Sequence, residues 1–213
     1  MNGQVHPSLE LRDIVIRLDG KPLVALDGTV APGETLTVMG PSGSGKSTLL
    51  AYLAGFLPPA FDACGRIVLG DRDITDLPAE RRGIGLLFQD PLLFPHLSVA
   101  GNLRFGLPRH MPDKTTHVRR ALADVGLSGY GERDPATLSG GQKARVALMR
   151  LLLSAPSAVL LDEPFSMLDT ELRDEMRHLV FSHLRAAGLP SLLVTHDQKD
   201  TAATRGRVIE LGG

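Results

Sequence analysis

The chain has 213 residues, 43% of them hydrophobic and 22% charged, with a net charge of −1 at pH 7. That size and balance suit one large globular domain, or a core with a small subdomain, and exclude a polybasic surface built for nucleic acid or anionic lipid. Cys64 is the single cysteine, a packed or loop residue with no metal partner beside it; it permits no internal disulfide, which fits a reducing compartment.

The stretch Met1 to Pro7 has no basic region followed by an apolar one, so it is not a secretory signal. Leu9 to Leu18 reads as a strand whose alternation slips between Leu11 and Ile14, as a bulge or turn would produce. Leu36-Thr37-Val38-Met39 reads as a strand and Leu49 to Ala54 as a helix. Gly65 to Gly70 and Gly85 to Phe88 are short strands. Arg81-Arg82 and Arg119-Arg120 read as solvated faces rather than binding patches. Val118, Ala121, Leu122 and Val125 recur at helical spacing, so Lys114 to Val125 is an amphipathic helix. Val159-Leu160-Leu161 is a continuous apolar run of the kind found in buried parallel strands. Leu172, Met176, Leu179, Val180 and Leu184 line one face of a long helix that Gly188 and Pro190 stop. Ser191 to Thr195 and Val208 to Leu211 are the last strands, and no C-terminal regulatory domain is expected after them. The richest apolar stretch, Leu151 to Leu161, is broken by Ser154, Pro156 and Ser157, so the chain is not expected to span a membrane by itself.

Strands alternating with helices imply an α/β fold with a mostly parallel sheet covered on both faces. Residues 92–155 carry helical periodicity and read as a helical subdomain inserted into an α/β core of residues 1–91 and 156–213.

Two glycine-rich stretches carry the chemistry. Gly40-Pro41-Ser42-Gly43-Ser44-Gly45-Lys46-Ser47-Thr48 matches a phosphate-binding loop, G-x-x-x-x-G-K-[ST], between the Leu36 strand and the Leu49 helix. Glycines let successive N–H groups turn toward phosphate oxygens, and the positive end of the helix adds to that field. Lys46 would reach the β- and γ-phosphates, and the Ser47 hydroxyl would ligate Mg²⁺. Asp162, ending the Val159 strand, suits a contact to that Mg²⁺, though a capping aspartate at a strand end would look the same. Leu138-Ser139-Gly140-Gly141-Gln142 precedes a second helix. Ser139 with Gln142 forms a capping box pattern, but two adjacent glycines ask for close approach of another group, as at an anion site.

These stretches, together with Gln89, Leu161-Asp162-Glu163-Pro164, Ser166-Met167-Leu168-Asp169 and His196, occur in an order and spacing that resembles the ATP-binding cassette (ABC) ATPases over nearly the whole chain. Phe94 to Val99 and Asp162 to Ser166 look most like the import-type subfamily that serves thiamine, ferric iron, polyamine, sulfate and sugar permeases. The resemblance implies a phosphate-loop NTPase core with an antiparallel β edge and an inserted helical subdomain. It implies hydrolysis of ATP with Mg²⁺, Glu163 as the general base or water-orienting group, and His196 on the γ-phosphate. Gln89 would touch Mg²⁺ and the attacking water; Asp169 would lie at a dimer interface, although by itself it could cap a helix. Ser139, Gly140, Gly141 and Gln142 would complete the site of a second copy, so that two ATP molecules hold two chains together. The implied partners are that copy, membrane permease subunits docked on Gln89 to Leu97 and the helices that follow, and indirectly an extracytoplasmic solute-binding protein. The implied place is the cytoplasmic face of a bacterial inner membrane.

An exporter or lipoprotein-release ATPase shares these motifs. A small-molecule kinase also carries a phosphate loop, but Leu138 to Gln142 has no role in one. A non-hydrolysing ATP sensor could dispense with Glu163. One position departs from the family pattern: no Phe, Tyr or Trp occurs between Met1 and Ala51 to stack on adenine. Leu18 best fits that place and Arg17 could stack by cation–π contact, so weak discrimination between ATP and GTP is expected.

Overall fold

The computed structural model describes residues 7–212, so the reading of the first six residues lies outside the described residues. The chain divides into two compact units, residues 1–86, 157–163 and 181–213 forming the first and residues 87–156 and 164–180 the second.

The first unit opens with two ten-residue strands, β1 (Leu9–Leu18) and β2 (Lys21–Val30), joined by Asp19 and Gly20. Both turn residues have positive φ, 50° and 74°, the hairpin turn whose twist matches paired strands. β3 (Thr35–Met39) leads through the glycine-rich loop into α1 (Lys46–Ala54), and β4 (Phe61–Leu69) and β5 (Arg72–Asp73) follow. β2, β1, β4 and β5 form an antiparallel sheet of their own. The slip in β1 is a bulge: register shifts between Leu11 and Ile14, and Leu9, Leu11, Ile14 and Ile16 all stay buried. Gly65 of β4 faces this bulge at φ +106°, where a Cβ would lie 2.5 Å from the Asp13 carbonyl oxygen.

The second sheet has the order β6-β7-β8-β3-β9, with β6 (Ile84–Leu87), β7 (Ala158–Asp162), β8 (Ser191–Thr195) and β9 (Val208–Glu210). β7, β8, β3 and β9 pair in parallel. β7 and β8 are buried at nearly every position, and their central residues are apolar because both faces are covered. From Leu49 onward α1 is buried on all sides, which is why that part of its sequence lacks a polar stripe. Leu49, Leu50 and Leu53 share one apolar cluster with Ile14 and Ile16 of the antiparallel sheet and Val38, Leu160 and Val194 of the parallel one.

Arg82 departs from the expected solvated face. It is buried, and its guanidinium donates to the carbonyls of Tyr52 at 2.8 Å and Leu53 at 3.0 Å, and to those of Leu77 and Thr75. The last carbonyls of a helix have no partner within it, and here a cation supplies one. Arg81, Arg119 and Arg120 are exposed as expected.

In the second unit α2 (Val99–Gly106), α3 (Lys114–Asp124) and α4 (Gly140–Leu153) pack through Val99, Leu103, Val118, Leu122, Val146 and Met149. Buried Asn102 accepts from Phe94 N–H and donates to the carbonyls of Phe94, Leu97 and Ser98. Arg150 donates to the carbonyls of Pro91 and Leu92. Those two side chains pin the loop before α2. α5 (Thr170–Ala186) begins in the second unit and ends in the first, and α6 (Gln198–Thr204) lies in the first. No described helix is long and apolar enough to cross a membrane.

Candidate active site

Three neighbouring parallel strands end together, with Met39 of β3 opposite Thr195 of β8, and Asp162 of β7 opposite Val194. The residues that follow, Gly40, His196 and Glu163, therefore meet at the carboxyl edge of the sheet, where open α/β sheets bind ligands.

Gly45 joins the phosphate loop to α1 at φ +88°, and no side chain caps the helix there. A Cβ on Gly45 would lie 2.6 Å from Val24 Cγ2, so backbone and packing both require glycine. Lys46 is only 6% exposed. Its ammonium donates to the carbonyls of Gly40 at 2.8 Å and Pro41 at 2.9 Å, which satisfy a buried cation without a carboxylate in direct contact. Glu163 Oε1 stands 3.8 Å from the same nitrogen.

Ser47 Oγ donates to Asp162 Oδ1 at 3.3 Å. Burial pushes the Asp162 carboxyl above the ordinary carboxylate range; the Ser47 hydrogen bond opposes this, adjacent Glu163 adds to it, and Lys46 opposes it. A hydroxyl and a carboxylate held side by side, the burial of the second offset only in part by Ser47 and Lys46, are the hard oxygen donors a small divalent cation takes alongside phosphate oxygens and water. The pair fits Mg²⁺. Glu163 has φ +43°, a left-handed conformation that costs a non-glycine residue roughly 1–2 kcal/mol. Its N–H donates to the Val194 carbonyl at 3.1 Å, which holds the turn. His196 Nδ1 lies 3.0 Å from Glu163 Oε2, and the imidazole is 60% exposed. Behind it, Thr195 Oγ1 donates to buried Asp200 at 2.6 Å and accepts from the Asp197 N–H at 3.0 Å, fixing the turn that presents the imidazole.

Ser42, Gly43, Gly45, Lys46, Ser47, Thr48 and Glu163 line a cleft of about 350 Å³ whose remaining wall is Leu18, Leu23 and Phe61. Ser44 and Gly40 belong to the same loop, and Ser44 Oγ is buried with no hydrogen-bond partner. Leu18 was expected at the cleft; Leu23 and Phe61 were not. In the sequence Gly65 to Gly70 reads as a short strand between glycines, which leaves Phe61, just before the weak strand former Asp62, outside it. The signal was the pairing itself: β4 runs back along β1 to bring Phe61 opposite Leu18.

Gln89, Ser139 to Gln142 and Asp169 belong to the second unit. Gln89 is exposed, two residues beyond β6. At the start of α4, Ser139 Oγ accepts from Gln142 N–H at 3.3 Å, and Gln142 Oε1 accepts from Ser139 N–H at 3.0 Å. This is the reciprocal capping box read from the sequence. Gly141 is buried, and a Cβ there would run into the Leu172 side chain; Gly140 is exposed. Asp169 is exposed, and Arg173 donates to the carbonyls of Ser166 and Leu168 just before it.

A strand, a phosphate-cradling loop and a buried helix, with acidic residues at the end of β7 two strands away, define a phosphate-loop nucleoside triphosphatase. The profile of the ABC transporter family matches residues 23–166, more than half of the chain. The chain belongs to that family and is one of its ATPases. It is 46% identical over 196 residues to the uncharacterized ABC transporter ATP-binding protein YnjD of Escherichia coli (strain K12), covering 91% of this chain and 90% of that one. It is 44% identical over 206 residues to the thiamine import ATP-binding protein ThiQ of Jannaschia sp. (strain CCS1), covering 95% and 88%. It is 43% identical over 190 residues to the putative 2-aminoethylphosphonate import ATP-binding protein PhnT of Salmonella choleraesuis (strain SC-B67). Of that longer relative this chain spans 51%, about half.

Proposed function

We propose that the chain is the ATP-hydrolysing subunit of a solute importer, working on a separate membrane permease through ATP-dependent pairing of two copies. The observation that carries this reading is the convergence of Lys46, Ser47, Asp162, Glu163 and His196 at one sheet edge. The import direction rests on the relatives named for thiamine and 2-aminoethylphosphonate import.

In this reading the loop N–H groups and Lys46 hold the triphosphate, and positioning and charge supply the catalysis. Ser47 and Asp162, with Gln89, would hold Mg²⁺, which when bound neutralises charge on the transferred phosphoryl group. Glu163 takes the proton of the attacking water, and its strained backbone fixes where that carboxylate points. His196, donating from Nδ1 to Glu163, keeps Nε2 for the γ-phosphate side. Ser139, Gly140, Gly141 and Gln142, with Asp169, would face the nucleotide of the second copy. Leu92 and Phe105, 50% and 67% exposed near the pinned loop, support a permease contact there. These roles place the chain on the cytoplasmic face of the membrane, served by an extracytoplasmic solute-binding protein.

Phosphate release, measured with and without membranes carrying the candidate permease, tests the reading. Release from ATP that the permease stimulates is expected. Transfer of the phosphoryl group to a metabolite would point to a kinase instead.

A further inference from the structure

The cleft that holds the phosphate loop is polar at one end and apolar at the other. Phe61, the first residue of β4, stands across the strand pair from Leu18, the last residue of β1, and both line the apolar end with Leu23. Leu18 is 38% exposed. Phe61 is half-buried, packed in part on the core. Strand alternation turns Arg17 to the opposite side of the sheet, where Nη1 approaches Cys64 Sγ at 3.6 Å. Arg17 is thereby drawn toward the strand's other face, and the ring that remains beside the cleft is that of Phe61.

We propose that Phe61 is the base-contacting residue of the nucleotide site, its ring forming with Leu18 and Leu23 the surface on which the purine lies. The inference rests on the ATPase reading. A triphosphate seated on residues 42–48 leaves its ribose and base to extend away from the start of α1. The apolar wall lies in the same cleft, and a purine face is poorly hydrated. Two leucines cover such a face by burial and dispersion; a phenyl ring adds stacking. A phenyl ring also has neither donor nor acceptor, so it grips adenine and guanine alike. Phe61 thus raises affinity for purine nucleotides over a bare polyphosphate without sorting ATP from GTP.

Binding isotherms for ATP, GTP and inorganic tripolyphosphate, each with Mg²⁺, test this on wild type, Phe61→Ala and Phe61→Leu. Phe61→Ala should weaken ATP and GTP by about three- to tenfold while tripolyphosphate is unchanged, and Phe61→Leu should fall between. The chain has no tryptophan, so Phe61→Trp adds a single indole whose fluorescence ATP and GTP should quench saturably and tripolyphosphate should not. Equal losses for all three ligands, no loss for any, or an indole that responds equally to tripolyphosphate would overturn the proposal. A wild type that binds tripolyphosphate but no nucleotide would overturn the ATPase reading as well.

Discussion

α1 begins on Gly45, with no side chain to cap it, whereas α4 begins on Ser139 and Gln142, which cap one another. Both starts are glycine-rich, but the glycines serve different ends. Gly45 turns the backbone through a left-handed conformation beneath Val24 and Leu23. Gly141 makes room for the Leu172 side chain. An uncapped helix end keeps its N–H donors for a ligand, and the nearby cation, Lys46, is held on carbonyls ready to take phosphate instead. A self-capped end is a finished surface before any ligand arrives. The comparison teaches that the start of α1 is left open for a ligand, while the start of α4 is closed by its own side chains.

The sharpest way to break that contrast is Lys46→Ala. Loss of the buried cation at the phosphate loop should weaken ATP binding and lower turnover roughly 10³-fold, read by isothermal titration and phosphate release. Substitution at α4 should do less. Ser139→Ala removes half of the capping box, costs about 1 kcal/mol of stability, and should spare ATP binding while slowing hydrolysis about tenfold. Ser139→Asp separates the cap from the ligand edge, since aspartate caps well but repels phosphate. Thermal melts should show Ser139→Asp as stable as wild type, and phosphate assays should show it as slow as Ser139→Ala. Recovery of full turnover by aspartate would reduce Ser139 to a cap. Mixing Lys46→Ala with Ser139→Ala should restore part of the activity, because one site of such a pair keeps both residues.

The smallest effect concerns pH. Burial raises the Asp162 carboxyl, so the folded chain holds that proton more tightly than the unfolded one. The contribution to stability is fully present below the unfolded-state pKa and is lost as pH rises through the folded one. Asp162→Asn should therefore make the nucleotide-free chain less sensitive to pH just above the ordinary carboxylate range. The same variant should lose the Mg²⁺ dependence of ATP binding. Denaturant melts across that range, compared with wild type, read the first effect; titrations with and without Mg²⁺ read the second.

Much of this was legible in the sequence because period and punctuation agree. Ser191–Thr195 is the strand that its apolar run announces, and the slip between Leu11 and Ile14 is a bulge in the structure. What stayed hidden needed partners distant in sequence. β2 carries Pro22, Asp27 and Gly28, weak strand formers that hide it, and it is held by pairing to β1 after the Asp19-Gly20 turn. Arg82 looks like a surface cation until the end of α1 is packed against it. Phe61 follows the phosphate loop by thirteen residues beyond Thr48, and only sheet register sets it beside Leu18. The phosphate loop and Asp162-Glu163 were legible because their spacing along the chain is itself the signal; the hydrogen bond of His196 to Glu163 was not.

Glu163→Gln tests the central claim most directly, that the open start of α1 and the strained carboxylate beside it hydrolyse ATP. The amide keeps the shape, so the variant should bind ATP as wild type does and accumulate as an ATP-dependent pair by size-exclusion chromatography. It loses the basic oxygen, so phosphate release should fall at least about 100-fold. Turnover close to that of wild type would contradict the account, because Glu163 would then take no part in the reaction.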